Sequence, residues 1–125
     1  MNKPAVFVVS LLLTLSVSLA FAAEPQTIEV KLGSYYIKPE KISVKRGQPV
    51  TLNLVNEATL IPHNLVIKAP AAGVDIAVDV SAGKTASVSF TPTQTGSYEI
   101  ICSKEPPFGK SHKEKGMHGV LEVVD

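Results

Sequence analysis

KISVKRGQPVTLNL, residues 41–54, alternates apolar and polar side chains on either side of a turn. Ile42 and Val44, then Val50, Leu52 and Leu54, recur at spacing two, the period of half-buried β-strands whose alternate side chains face one core. Arg46-Gly47-Gln48-Pro49 separates the two runs with turn-forming residues. The same spacing continues outward in Leu65 and Ile67 and in Ala86, Val88 and Phe90, with breaks at Ala82-Gly83-Lys84 and from Pro92 to Gly96. Thr27 to Leu32, Tyr98 to Cys102 and Gly119 to Val124 bring the total to about seven strands. Pro39 and Pro62 are expected at strand edges. Ala69 to Val80 is less regular and is expected as a loop crossing between sheets. No window of eleven residues carries a helical stripe, so the expected class is all-β, a two-sheet sandwich with short connections.

Length and charge limit what such a chain can do. It has 125 residues, 45% hydrophobic, with 12 Lys and Arg against 11 Asp and Glu. That suits one modest core. A net charge of +1, no Trp and no basic run longer than Lys45-Arg46 supply neither the field nor the stacking platforms of nucleic-acid binding. There is no internal repeat or linker, and no glycine-rich phosphate loop.

The first 22 residues read as a signal peptide, leaving 23–125 as the domain. Lys3 supplies a positive start, Ala5 to Ala20 is apolar and uncharged, and Ala20-Phe21-Ala22 has the small-x-small form of a cleavage site. A transmembrane anchor is the competing reading, but the apolar run is short against a span of ~20 residues. Without a lipid-accepting Cys at the cleavage point, the expected product is soluble, exported and, in a Gram-negative cell, periplasmic, with no stable membrane insertion.

The remaining chain carries one Cys (Cys102), one Met (Met117) and three His (His63, His112, His118). A lone Cys in an oxidising compartment forms no internal disulfide; it is buried, paired between chains or occupied by a metal. Strand parity turns His63 to the same side as Leu65 and Ile67, and Cys102 to the same side as Ile100. His63 begins its strand and Cys102 ends its own, so the two meet at one pole if those strands are antiparallel neighbours. One thiolate, two imidazoles and a thioether match a blue-copper site, a trigonal His₂Cys plane with a weak axial Met. Structural zinc prefers four strong ligands. A Cys–His nucleophile pair would leave Met117 without a role.

Each residue also has a plainer reading. Cys102 could be a small buried hydrophobe, His63 a hydrogen-bonded strand-end histidine, Met117 core filler, and His112 a solvated loop residue among Lys110, Lys113 and Lys115. Tyr98 reads as core or sandwich-corner packing, and Lys113, Glu114 and Lys115 as solvated surface. His118 neighbours Met117 but its parity turns it the other way.

Taken together, Pro62-His63-Asn64, Gly96-x-Tyr98-x-x-x-Cys102-Ser103 and His112-x-x-x-Gly116-Met117-x-Gly119 resemble the copper motifs of the cupredoxins, most of all the plastocyanin-like type. Pro39-x-x-Ile42-x-Val44 and Gly47-x-x-Val50 extend the resemblance over nearly the whole chain after residue 22. It implies a Greek-key β-sandwich holding one copper ion, with His63, Cys102 and His112 as equatorial ligands and Met117 as the axial one. Asn64 would reach towards Ser103 and tie two ligand segments together. The implied role is a monomeric, non-enzymatic one-electron carrier between redox proteins such as a c-type cytochrome, an oxidase or a reductase. A copper protein for delivery, storage or resistance is the alternative, and a copper-free interaction module a third. The sequence departs from the family in one place: nine residues separate Cys102 from His112. The added stretch Lys104 to Lys110 is expected either to shield the imidazole edge or to present Pro106-Pro107-Phe108 to a partner.

Overall fold

The computed structural model describes residues 2–5, 14–18 and 25–125. The signal-peptide reading, with cleavage after Ala22, lies mostly outside the described residues. No helix among the described residues is long and apolar enough to cross a membrane.

Among the described residues nine strands follow in chain order: β1 (Gln26–Gly33), β2 (Tyr36–Lys38), β3 (Lys41–Lys45), β4 (Val50–Asn56), β5 (His63–Ala69), β6 (Val74–Val80), β7 (Thr85–Phe90), β8 (Gly96–Ile101) and β9 (His118–Val124). They form two sheets, ordered β2-β1-β4-β7 and β3-β9-β8-β5-β6. The expected sandwich is therefore observed. The alternation around the Arg46–Pro49 turn places its two runs in opposite sheets: Ile42 and Val44 face inward from one, Leu52 and Leu54 from the other, all at most 1% exposed. Val30, Leu32, Leu65, Ile67, Ile100 and Leu121 complete the contact between the layers. β1 runs parallel to β4 and β3 parallel to β9, pairings that arise because the chain crosses repeatedly from one sheet to the other.

Two elements depart from the sequence expectation, and the strand count rises accordingly from about seven to nine. Ala69 to Val80 is not a crossing loop. Pro70–Ala72 forms one 3₁₀ turn, and β6 then returns along the sheet edge, antiparallel to β5 from Ala69↔Val74 to His63↔Val80. Val74, Ile76, Val78 and Val80 do alternate with Asp75, Ala77 and Asp79; the Pro-Ala-Ala-Gly breaker in front of them masks the pattern. β2 is three residues long, too short to carry a period, and is held by pairing with β1.

The site's position follows from one pairing. β5 and β8 are antiparallel neighbours, with Val66 opposite Ile101. The start of β5 and the end of β8 therefore lie at the same pole, and the connection from β8 to β9 closes over it.

Candidate metal centre

Three donor atoms converge at that pole. His63 opens β5, Cys102 follows the last residue of β8, and His112 sits in the β8–β9 connection. His63 Nδ1 lies 3.3 Å from His112 Nδ1, Cys102 Sγ lies 3.5 Å from His112 Nδ1, and Cys102 Sγ lies 3.9 Å from His63 Nδ1. Among the described residues these three are the one group of His, Cys, Asp and Glu side chains whose ligand atoms gather as for a metal, all within 4.8 Å. His63 and Cys102 are 0% exposed and His112 6%. Met117, also fully buried, belongs to the same core cluster as Cys102. His118 is exposed on β9 and stands outside the group. The plainer reading of His112 as a solvated loop residue does not hold.

The electrostatics favour neutral imidazoles. Burial depresses the proton affinity of His63, and the neighbouring His112 depresses it further; a backbone interaction with Gly33 opposes both but is the smallest influence. Burial likewise depresses His112, helped by the charges of Lys115 and Lys104. Neutral imidazole is the ligating form. Nε2 of His63 is buried with no regular hydrogen bond among the described residues.

The surrounding chain holds these donors in place. The backbone N–H of Asn64 points at Cys102 Sγ, 3.5 Å away. The Asn64 side chain donates from Nδ2 to Ser103 Oγ and accepts at Oδ1 from the Ser103 N–H, both at 2.8 Å. The expected tie between the two segments is thus present, in reciprocal form. The Cys102 N–H donates to the Met117 carbonyl at 3.1 Å, and the Met117 N–H to the His112 carbonyl at 3.0 Å.

The long Cys102-to-His112 connection leaves this geometry intact because its ends close on each other. The His112 N–H donates to the Lys104 carbonyl at 2.9 Å, and Lys104 Nζ pairs with Asp79 at 2.9 Å. The added residues loop outward from that neck. Phe108 is 91% exposed at the tip, whereas Pro106 and Glu105 share with Tyr35, Leu60, Ile61 and Pro62 the walls of an open depression of about 320 Å³ that reaches His112.

Two supports escaped the sequence reading. Ser111-His112-Lys113-Glu114 is a capping box: the Ser111 N–H donates to Glu114 Oε2 at 2.7 Å and the Glu114 N–H to Ser111 Oγ at 3.2 Å. It starts the single turn that carries His112, and the Ser111 N–H keeps the Glu114 carboxyl below its ordinary range. The Ser-x-x-Glu spacing was the signal. Asn56, 1% exposed, donates from Nδ2 to the carbonyls of Ile61 (3.0 Å) and Val80 (2.9 Å) and accepts at Oδ1 from Ala58 N–H (2.9 Å). It fixes the loop leading into Pro62-His63; an Asn at a strand end, free to form such a turn, was the hint.

Gly119 has a steric reason. A Cβ there would come within 2.4 Å of the Glu40 carbonyl oxygen, because β9 starts against the turn before β3. Tyr98 anchors a corner as expected, its hydroxyl donating to the carbonyls of Gln94 and Thr95.

The donor set itself fits copper. A point equidistant from three atoms spaced in this way lies about 2 Å from each, the range of metal bonds to imidazole and thiolate. A soft thiolate with two imidazoles suits copper in both oxidation states. The cupredoxin-like domain model matches residues 5–121. The chain belongs to the cupredoxin-like family. Among solved structures, this cupredoxin-like chain is similar to an auracyanin from the photosynthetic bacterium Roseiflexus castenholzii, at 24% identity over 83% of this chain and 100% of that one, with a TM-score of 0.66. Auracyanin A of Chloroflexus aurantiacus, a blue copper protein, is 24% identical over 81% and 100% of the two chains, with a TM-score of 0.62. The periplasmic domain of cytochrome oxidase subunit II from Bradyrhizobium japonicum aligns at 17% identity over 80% and 84%, TM-score 0.61. These likenesses establish the shared fold. No curated protein matches the chain. The cupredoxin-like domain thus has a His-Cys-His site able to bind a copper ion.

Proposed function

We propose that the protein is an exported one-electron carrier with a type 1 copper site, in which His63 Nδ1, Cys102 Sγ and His112 Nδ1 would be the strong ligands of the copper and the Met117 thioether a weak fourth one. One observation carries this reading: two imidazole nitrogens and one thiol converge, buried, within 4.8 Å. Copper bound there would supply reversible one-electron chemistry. The protein's own groups hold the donors before and after the transfer. The Asn64 N–H directed at Cys102 Sγ stabilises thiolate charge, and the reciprocal Asn64–Ser103 bonds keep the His63 and Cys102 segments at fixed separation. His112 lines the surface depression and would be the electron's exit.

Burial of all four side chains supports a retained metal over one passed on, which weighs against the delivery or storage reading. Redox proteins, among them a c-type cytochrome, an oxidase or a reductase, are the proposed partners of a monomer. Removal of residues 1–22 and a periplasmic location complete the proposal, on the composition of that segment.

The test is the visible and EPR spectrum of residues 23–125 with one equivalent of Cu(II). An intense thiolate-to-copper band that bleaches and returns through redox cycles, and that Cys102→Ser abolishes, is expected. Copper bound without that band by folded protein with a free thiol would turn the reading to a carrier of copper itself. A band unchanged in His112→Ala would remove His112 from the ligand set.

A further inference from the structure

The turn between β1 and β2 contains a residue in a backbone conformation that its side chain disfavours. Tyr35 has φ +67°, the left-handed region that bulky residues rarely occupy and that persists where the surroundings enforce it. The surroundings here are the ligand turn. The Tyr35 ring meets the His112 imidazole edge to face, with centroids 5.2 Å apart and planes at 71°. Lys115 Nζ sits over the Tyr35 ring, 4.3 Å from its centroid. Gly116 approaches the Tyr35 backbone so closely that a Cβ would lie 3.3 Å from the Tyr35 carbonyl oxygen.

Main-chain bonds from His112 N–H to Lys104 and from Met117 N–H to His112 fix the His112 backbone. They leave its ring free to turn, because the torsion to an aromatic ring is broad. The hydrogen-bond contacts of that ring among the described residues are with His63 and Cys102, inside the cluster. Ring packing is left to orient it, by Tyr35 and by the His63 ring, whose centroid lies 5.1 Å away with planes at 68°. Edge-to-face contact is a favoured aromatic geometry, and a cation over a tyrosine face adds attraction.

We infer that Tyr35 is a positioning residue for the metal centre: its ring, steadied by the Lys115 ammonium, holds the His112 imidazole with Nδ1 aimed at Cys102 Sγ and His63 Nδ1. The inference rests on the reading of His112 as a copper ligand.

Three variants test it. Tyr35→Asn removes the ring but tolerates the left-handed backbone, Tyr35→Phe keeps the ring, and Lys115→Met removes the cation. In copper-free protein, NMR of the His112 ring should give one sharp set of signals in the parent and in Tyr35→Phe, and broadened or doubled signals in folded Tyr35→Asn. With copper bound, loss to a competing chelator should rise about 10- to 100-fold in Tyr35→Asn, as for other groups that orient metal ligands. Lys115→Met should raise it about two- to fivefold, the scale of an exposed cation–π contact. Unbroadened His112 signals in folded Tyr35→Asn overturn the inference, and so does equal disturbance in Tyr35→Phe. If the parent takes up no copper, the copper reading fails, while the copper-free NMR still decides whether Tyr35 orients the ring.

Discussion

Asn64 and Ser103 hold each other through two hydrogen bonds of 2.8 Å, one in each direction, and each is the chain neighbour of a residue of the His-Cys-His cluster. The pair joins β5 to the segment after β8 beyond their one bridging register, Val66 with Ile101. Asn64→Ala removes both bonds and leaves the Ser103 N–H without its acceptor. A loss of about 1–3 kcal/mol in stability is expected, read by urea unfolding of the copper-free protein. Copper affinity should fall about 10- to 100-fold, read by chelator competition. An unchanged affinity would limit Asn64 to a structural role.

Asn56 makes a different prediction, since it acts on the loop that enters β5. Asn56→Leu strands the Val80 carbonyl and the Ala58 N–H in the interior and the Ile61 carbonyl at its margin. Buried groups left without partners cost about 1–3 kcal/mol each, so a loss of about 3 kcal/mol or more is expected from the denaturation midpoint. A change below 1 kcal/mol would mean that solvent or a backbone shift replaces all three bonds.

The capping box should act locally. Ser111→Ala is expected to lower stability by about 1 kcal/mol and to speed amide exchange from Lys113 to Met117, with little effect in β1 to β4. Glu114→Gln preserves the capping pattern and should leave exchange near the parent's, whereas Glu114→Ala should not. Uniform exchange across all three variants would show that the turn is held by the metal-site side chains alone.

Phe108, at 91% exposure, tests whether the long connection is part of the core. Phe108→Ser should change stability by no more than about 0.5 kcal/mol and leave the copper spectrum intact. A shifted spectrum would mean that the tip bears on His112 despite its exposure.

The copper-free protein should lose stability as pH falls. Both His63 and His112 have proton affinities below the usual histidine value, burial being the main cause in each. Below about pH 6.5 the unfolded chain binds protons at these positions before the folded chain does, so the unfolding free energy falls with decreasing pH. The fall continues down to the depressed folded-state values, below which both states are protonated. Replacing both histidines by Gln should flatten that part of the profile in guanidinium titrations between pH 7 and 5; an equally steep profile would assign the dependence to the carboxylates.

The alternating runs around Arg46–Pro49 and those that follow to Phe90 pointed to the sandwich because period-two burial is written locally, one residue after another. The same parity argument turned His63 and Cys102 inward. It succeeded because both residues continue strands whose other members, Leu65, Ile67 and Ile100, have no alternative but the core. β6 was missed for the opposite reason: a local breaker, Pro70 to Gly73, outweighed an alternation that becomes decisive only when β5 is there to pair with it.

The sequence by itself determined the fold class, the inward direction of the donor-bearing strands and the residue types that converge, because each depends on periodicity or on side-chain chemistry. The distances among Nδ1, Nδ1 and Sγ, the neck that lets Glu105 to Ser111 loop out between Cys102 and His112, and the contact of Tyr35 with His112 were decided by tertiary structure alone. Each joins segments far apart in the chain, and their separation in space depends on strand pairing and on packing between sheets, which no local pattern records.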